Sequence, residues 1–418
     1  MKSSLRNFWL YAMGRLVSLI GSGIQSLALS LYILDITGSG TMMGTFLIMS
    51  MLPVIILAPI AGVVGDRFNR KAIMIYMDFA RGALIFFLAF LAYRNMLTLP
   101  VIYISQFAMA IMDTFFGPAT SAMLPDIVPK EQLTRANSIL GAINNLSYIV
   151  GPAMGGVLYP LGIGVVLILN ATSFVVSGIS EIFIQYKQTT ERKKMSVEQF
   201  FEDLKDGFAF LKVRSDVFTV MIFLMIVDFL FIPSFIVVFP YFARTVVRFN
   251  SQQYGILNSC WIIGNLIGNL LIASFFAKRN PGRLFKFGLF GQMVPVYIFN
   301  ILIFPWGVKF FGGVTWLYFV AIALPLIATG LLNAFVGTPI RVFFQKAIPT
   351  KVRSRVFSVL AVMSRLVLPL GTATYGFLVD HVPAHYLVLT ALSLSLAVSV
   401  AFVVTGKLNV ISGEASYA

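Results

Sequence analysis

The sequence predicts an all-α integral membrane protein: twelve transmembrane helices in two pseudo-symmetric six-helix bundles, with both termini cytoplasmic. Three observations predict it. Of 418 residues, 58% are hydrophobic and only 11% charged, and the mean hydropathy is +0.89, far too apolar for a soluble chain of this size. The apolar residues fall in blocks of about twenty, the length that crosses a bilayer's hydrocarbon core. Inside that core each backbone must satisfy its own hydrogen bonds, so continuous blocks of this length form helices rather than barrel strands. The basic residues, finally, alternate between loops as the positive-inside rule requires.

The spans fall near 8–34, 42–64, 72–93, 98–124, 133–159, 163–186, 217–242, 253–277, 283–305, 315–345, 352–379 and 384–406. With the amino terminus inside, 24 of the 31 Lys and Arg residues lie in cytoplasmic segments or at the cytoplasmic ends of the spans. Arg94, Arg244, Arg248 and Lys309 fall outside, and Arg15, Arg81 and Arg365 fall within spans. The net charge of +15 is therefore a topological signal, and no nucleic-acid partner is expected. Cys260 is the single cysteine, which excludes an intrachain disulfide and argues against a thiol-ligated metal. Trp9 to Leu34 is long enough to stay as the first span rather than act as a cleaved leader.

The longest polar stretch divides the chain into an N-terminal six-helix bundle (1–187), a cytoplasmic linker (188–215) and a C-terminal six-helix bundle (216–418). After Arg192, Lys193 and Lys194, the linker places Val197, Phe200, Phe201, Leu204, Phe208 and Leu211 at helical spacing. That pattern predicts an amphipathic helix on the inner membrane surface. An internal repeat supports the division: a shift of 220 residues pairs Gly117 with Gly337, Pro129 with Pro349, Arg135 with Arg355, Ser138 with Ser358, Gly151 with Gly371 and Gly156 with Gly376. Halves related in this way pack around a midplane site and rock against each other.

Two motifs carry mechanism. After the second span the chain reads Gly62-Val-Val-Gly65-Asp66-Arg67-Phe-Asn-Arg70-Lys71. Gly62 and Gly65 allow close helix contact. Asp66 is placed to pair with a helix terminus or an arginine and hold one conformation, with Arg67, Arg70 and Lys71 as the basic part of this latch. The fifth span carries Gly151-Pro152-Ala-Met-Gly155-Gly156. Pro152 removes a backbone hydrogen bond and kinks the helix, while the glycines admit a neighbour to the kink.

These strings resemble the signature loop and the G-P-x-x-G-G motif of the major facilitator superfamily's drug and proton antiporters. Val128-Pro-Lys-Glu-Gln-Leu-Thr-Arg-Ala-Asn, Asp35-Ile-Thr-Gly-Ser and Arg353-Ser-Arg-Val-Phe-Ser358 are similar to its macrolide-efflux branch. The resemblance covers nearly the whole chain and implies the major facilitator fold, export rather than uptake, and a multi-pass protein of the bacterial cytoplasmic membrane acting as a monomer. It also implies that helices 1, 4, 7 and 10 line the cavity. The sequence departs from the antiporters in two places. Asn69 replaces a glycine of the loop, and Met109 stands where the fourth span often carries an arginine.

Charges within spans are costly, so each is a functional candidate. Asp113 and Asp228 lie near mid-depth and, with Asp35 at the outer end of the first span, are the candidates for proton coupling. Static pairing of either mid-depth aspartate with Arg15 or Arg365 is the structural alternative. Asp78 and Arg81 are expected to form a structural pair, and Glu181 to reach water at the inner end of the sixth span. Arg15, Gln25, Asn144, Asn333 and Arg365 are the polar cavity candidates. Together these features point to a secondary exporter that exchanges protons for an amphiphilic, cationic small molecule, with membrane lipid as its surroundings. Export of a lipid or siderophore-like metabolite is the alternative. An enzyme is not expected: only His381 and His385 are available, and no catalytic, metal-ligand or P-loop motif occurs. No cofactor or metal is implied.

Overall fold

A computed structural model describes residues 2–186, 197–350, 352–405 and 411. The described residues are helical, with no strand among them. The first six helices are α1 (Lys2–Thr37), α2 (Gly40–Arg67), α3 (Arg70–Tyr93), α4 (Leu99–Ile127), α5 (Leu133–Leu158) and α6 (Ile163–Ile182). The linker helix α7 (Val197–Val213) follows. The remainder are α8 (Ser215–Val246), α9 (Ser251–Phe276), α10 (Pro281–Ile303), α11 (Trp316–Ala347), α12 (Arg353–His381) and α13 (Ala384–Val404).

Eleven of these are long and apolar enough to cross a membrane. The twelfth, α5, has the length, but Arg135, Asn137, Asn144 and Asn145 lower its apolarity. Its polar side chains sit in a helix with one preferred buried face, along Ala136, Leu140, Ile143, Ser147 and Gly151. The twelve-helix architecture read from the sequence is the observed one.

The chain forms two compact units, Met1–Ile36 with Thr45–Phe200, and Thr37–Gly44 with Phe201–Ala418. In the first unit, α3 packs mainly on α6 and α4. In the second, α9 and α10 pack on α11, and α8 on α12 and α13. The helices of the second unit are less regular. Within α8, Ser234–Val238 and Phe242–Val246 form wide turns with i→i+5 bonding, flanked by Pro233 and Pro240, and α9 ends in another at Ile272–Phe276. Such turns loosen a helix locally and occur often at functional sites.

The basic start of the linker, 187–196, lies outside the described residues. The helix that follows is amphipathic as predicted, but its apolar face is divided. Leu211 is fully buried and Leu204 partly so, both against the second unit's core. Gly207 lies so close to α12 that an added Cβ would sit 2.8 Å from the Arg355 carbonyl oxygen. Arg355 binds Asp203 and Asp206, each at 2.8 Å. Phe201 and Phe208 stay exposed, 60% and 38%. The helix is thus docked on the second bundle through one face, and only the other face remains for a membrane surface.

Candidate functional site

The first unit's interior is organised around one guanidinium. Asp78 and Arg81 are three residues apart on α3, so the helix brings them to one face. Both are buried, at 0% and 4% exposure, and they form an ion pair. Arg81 also accepts a partner from α4, its Nη1 donating to Asp113 Oδ1 at 2.5 Å. Its flat cation lies 4.1 Å from the ring centre of Phe116 and 4.5 Å from that of Phe174, contacts that strengthen when water is excluded. Arg81 thereby ties α3 to α4 and α6, with Asp78 on its buried side and Asp113, whose side chain is 52% exposed, on its open side.

Asp113 is therefore held by Arg81, not by Arg15 or Arg365, the partners considered from sequence. Arg15 instead donates to Asn144 Oδ1 at 3.4 Å and to the Tyr11 hydroxyl at 3.5 Å, so these two cavity candidates of α1 and α5 do come together. Gln25 does not line an opening. It is 5% exposed and accepts a 2.7 Å bond from Asn170 Nδ2 of α6. Glu181 also departs from expectation: instead of reaching water it is 3% exposed. Asp35 is exposed and accepts from the Tyr159 hydroxyl at 2.8 Å.

The α5 motif sits where its backbone meets α1. A Cβ on Gly151 would lie 2.9 Å from Gly23 Cα, and one on Gly155 would lie 2.9 Å from the Ile24 carbonyl oxygen. Gly156 is buried in the same helix, and Pro152 interrupts its bonding between these contacts. Only glycine permits so close an approach of two backbones.

Of the proposed latch, the side chains of Gly62, Gly65, Asp66 and Arg67 lie outside the described residues, although their backbone closes α2. The other two members are described. Arg70 is buried and donates from Nη1 to the Ala122 carbonyl at 3.1 Å and to Asp126 Oδ2 at 3.2 Å. Tyr186 donates to the same carboxylate oxygen at 3.0 Å. Lys71 Nζ donates to the Ile182 carbonyl at 2.8 Å, at the carboxyl end of α6, where a cation is favoured. The basic turn thus fastens α3 to the inner ends of α4 and α6.

The second unit uses amides. Asn265 donates to the Gly330 carbonyl at 3.3 Å and to Asn333 at 3.4 Å, and Asn333 donates to Gln292 at 3.5 Å. Asn269 extends the chain from Asn265 (3.0 Å) to the Thr338 hydroxyl (2.8 Å). Asn333 therefore sits in a bonded network across α9, α10 and α11, with Gln292 at the break inside α10. Asp228 is different. It is half-buried in α8, ahead of the wide turn at Ser234, and has neither a hydrogen bond nor an ion pair among the described residues. Arg365 of α12 is exposed.

One residue the sequence reading did not single out is Asp380, at the end of α12. Its carboxylate accepts from Gly40 N (2.6 Å), Thr41 N (3.0 Å) and the Ser39 and Thr41 hydroxyls (both 2.6 Å). It thus caps the start of α2 from a distant part of the chain, as a carboxylate at a helix amino end should. A Thr-Gly-Ser-Gly-Thr turn lacking an acidic residue of its own was the available signal.

A family profile described as Major Facilitator Superfamily matches residues 11–372. Macrolide efflux protein A of Streptococcus pyogenes is 24% identical over 388 residues, 93% of each chain. The staphyloferrin A transporter of Staphylococcus aureus is 22% identical over 367 residues, 86% of each chain. Among solved structures, the nucleoside transporter NupG (a D323A mutant) superposes with a TM-score of 0.73 at 14% identity, over 95% of this chain and 99% of that one, which is a likeness of fold. With the family profile spanning most of the helices just described, the chain belongs to the major facilitator superfamily of membrane transporters.

Proposed function

We propose that the protein is a secondary exporter of amphiphilic, cationic small molecules, driven by proton antiport through alternating access in the bacterial cytoplasmic membrane. The observation that carries this reading is Asp228. An ionised carboxylate near the bilayer centre costs about 2.5–3.5 kcal/mol on insertion scales, and no arginine or amide among the described residues offsets it. Either a proton or a cationic ligand neutralises such a group, but not both together. That mutual exclusion is the chemical basis of exchange. The wide turns of α8 beside Asp228 supply a deformable segment. The likeness to macrolide efflux proteins over nearly the whole chain supports export of an amphiphile. Asp113, already paired with Arg81, becomes the secondary candidate, and Asp35 the tertiary one.

A second reading, export of an anionic siderophore-like metabolite or lipid, draws on the likeness to the staphyloferrin A transporter and on Arg365, an exposed cation within a span. Liposomes loaded with a pH dye separate the two. We expect lipophilic cations, a macrolide among them, to drive proton movement in the wild type and in Arg365→Gln, and not in Asp228→Asn. Transport of an anion or lipid with no proton movement under any cation would overturn the leading reading.

A further inference from the structure

Glu181 and Asp78 form a buried pair of carboxyl groups that the proposed exchange at Asp228 does not use. Both are almost fully enclosed, at 3% and 0% exposure; a Cβ added to Gly178 would lie 3.4 Å from Asp78 Cβ, and Glu181 follows Gly178 by three residues, on the same face of α6. Glu181 Oε2 and Asp78 Oδ2 nevertheless have no donor, and neither does the adjacent Ser177 Oγ have a partner. Two ionised carboxylates are both acceptors only, so nothing but a proton can make the bond their placement prepares.

The charged groups around the pair point the same way. From α3 come Asp78 itself and Arg81, whose two ion pairs go to Asp78 and Asp113, not to Glu181. From α4 comes Asp113, a further negative charge acting on Asp78. From α1 come Tyr11 and Arg15, bonded to each other, while Gly14 packs its backbone on Ser177. Lys71 from the start of α3 is bonded to the carbonyl of Ile182. Glu181 itself stands in the last turn of α6, where the helix dipole opposes a negative charge. The enclosed set of Asp78, Arg81 and Glu181 is neutral only when one proton is present, and an unpaired buried charge is strongly disfavoured. A metal ion is a poorer occupant, because among the described residues no three His, Cys, Asp or Glu side chains gather for one and Arg81 already fills the cation's place.

We propose that Glu181 and Asp78 bind a single proton between them, the Glu181 carboxyl donating to Asp78 Oδ2, and that this is a proton site of the first bundle separate from Asp228. Protonation forms the O–H bond on Glu181, and deprotonation returns the proton to water. Once it leaves, the extra negative charge is offset only if Arg81 turns from Asp113 toward Glu181. Proton occupancy is thereby tied to the α3–α4 ion pair, which gives the proton a mechanical consequence. Its place in a transport cycle rests on the antiport reading above, whereas the binding itself does not.

Infrared spectroscopy of the full-length protein in lipid, without any transported compound, tests the binding directly. The wild type should show the carbonyl stretch of a protonated carboxyl group at neutral pH, lost as pH is raised. Asp228→Asn, which removes the other carboxyl group proposed to take a proton, should retain it, and Glu181→Gln added to that variant should abolish it. Asp78→Asn removes the neighbouring negative charge, so Glu181 should release its proton at a pH lower by about 1–3 units. A wild type without the band at neutral pH would overturn the proposal outright, as would a band that persists when Glu181→Gln is combined with Asp228→Asn or an unmoved midpoint in Asp78→Asn. The melting temperature of each variant identifies misfolding, and the wild-type arm stands even if a variant fails to fold. A sodium-dependent, pH-independent spectrum would also overturn it. Loss of antiport in liposomes with this band intact would refute the proposed exchange alone.

Discussion

The two bundles carry matching residues 220 positions apart, yet they hold themselves together differently inside. The first encloses ionisable groups: Asp78, Arg81, Arg70 and Glu181 are all buried. The second encloses amides and rings. Asn265, Asn333 and Gln292 form its polar chain, and Phe223 stacks on Phe402 at 4.1 Å between ring centres, while Phe239 meets Phe299 edge-on at 5.6 Å. The glycine seams differ as well. In the first unit Gly151 and Gly23 bring α5 to α1, whereas in the second Gly264 and Gly330 bring α9 to α11. The wide turns occur in α8 and α9, in the second bundle. A common scaffold of helix lengths and small residues thus tolerates very different buried chemistry.

That contrast can be broken most severely at Arg81. Arg81→Ala leaves Asp78 and Glu181 enclosed without their cation, and removing one partner of a buried pair costs about 3–5 kcal/mol. We expect a marked drop in unfolding midpoint, partly restored by adding Asp78→Asn. An unchanged midpoint would mean that the ions do not hold the first bundle together. Next in size are the seams. Gly264→Ala would place a Cβ 2.0 Å from the Ile327 carbonyl oxygen, while Gly151→Ala meets Gly23 Cα at 2.9 Å. Overpacking costs about 1–3 kcal/mol, and the second-bundle variant should be the less stable of the two in thermal melts. The reverse order would show that the α1–α5 seam is the tighter. The smallest effect belongs to the linker. Arg355→Gln removes two partly exposed ion pairs, each contributing about 0.2–1 kcal/mol. Proteolysis within Val197–Val213 should then be faster, with the melting temperature nearly unchanged.

Much of this was legible beforehand. The Asp78–Arg81 pair follows from helical spacing, and the close packing of Gly151 and Gly155 follows from residues too small to do anything else in a span. Glu181 was misread because depth along a helix is visible in sequence whereas the direction a side chain faces is not. Its neighbours Ser177 and Gly178 mark a helix face that packs closely, and that was the signal available. Gln25 was misread for the same reason, since its partner Asn170 is 145 residues away. The linker's apolar stripe was correctly seen, but a stripe does not say whether lipid or protein covers it.

What the sequence determined by itself is the set of spans, their expected orientation and the close helix approach at Gly151 and Gly155. Each follows from a local rule: backbone groups in hydrocarbon must bond within their own helix, basic loops stay inside, and glycine alone lets backbones touch. Only the tertiary structure decided which charge meets which. Arg81 takes Asp113 rather than leaving it to Arg15, Asp380 caps a helix some 340 residues away in sequence, and Asp228 has no partner among the described residues. Charges in a low-dielectric interior are governed by distance in space, and no spacing along the chain encodes that.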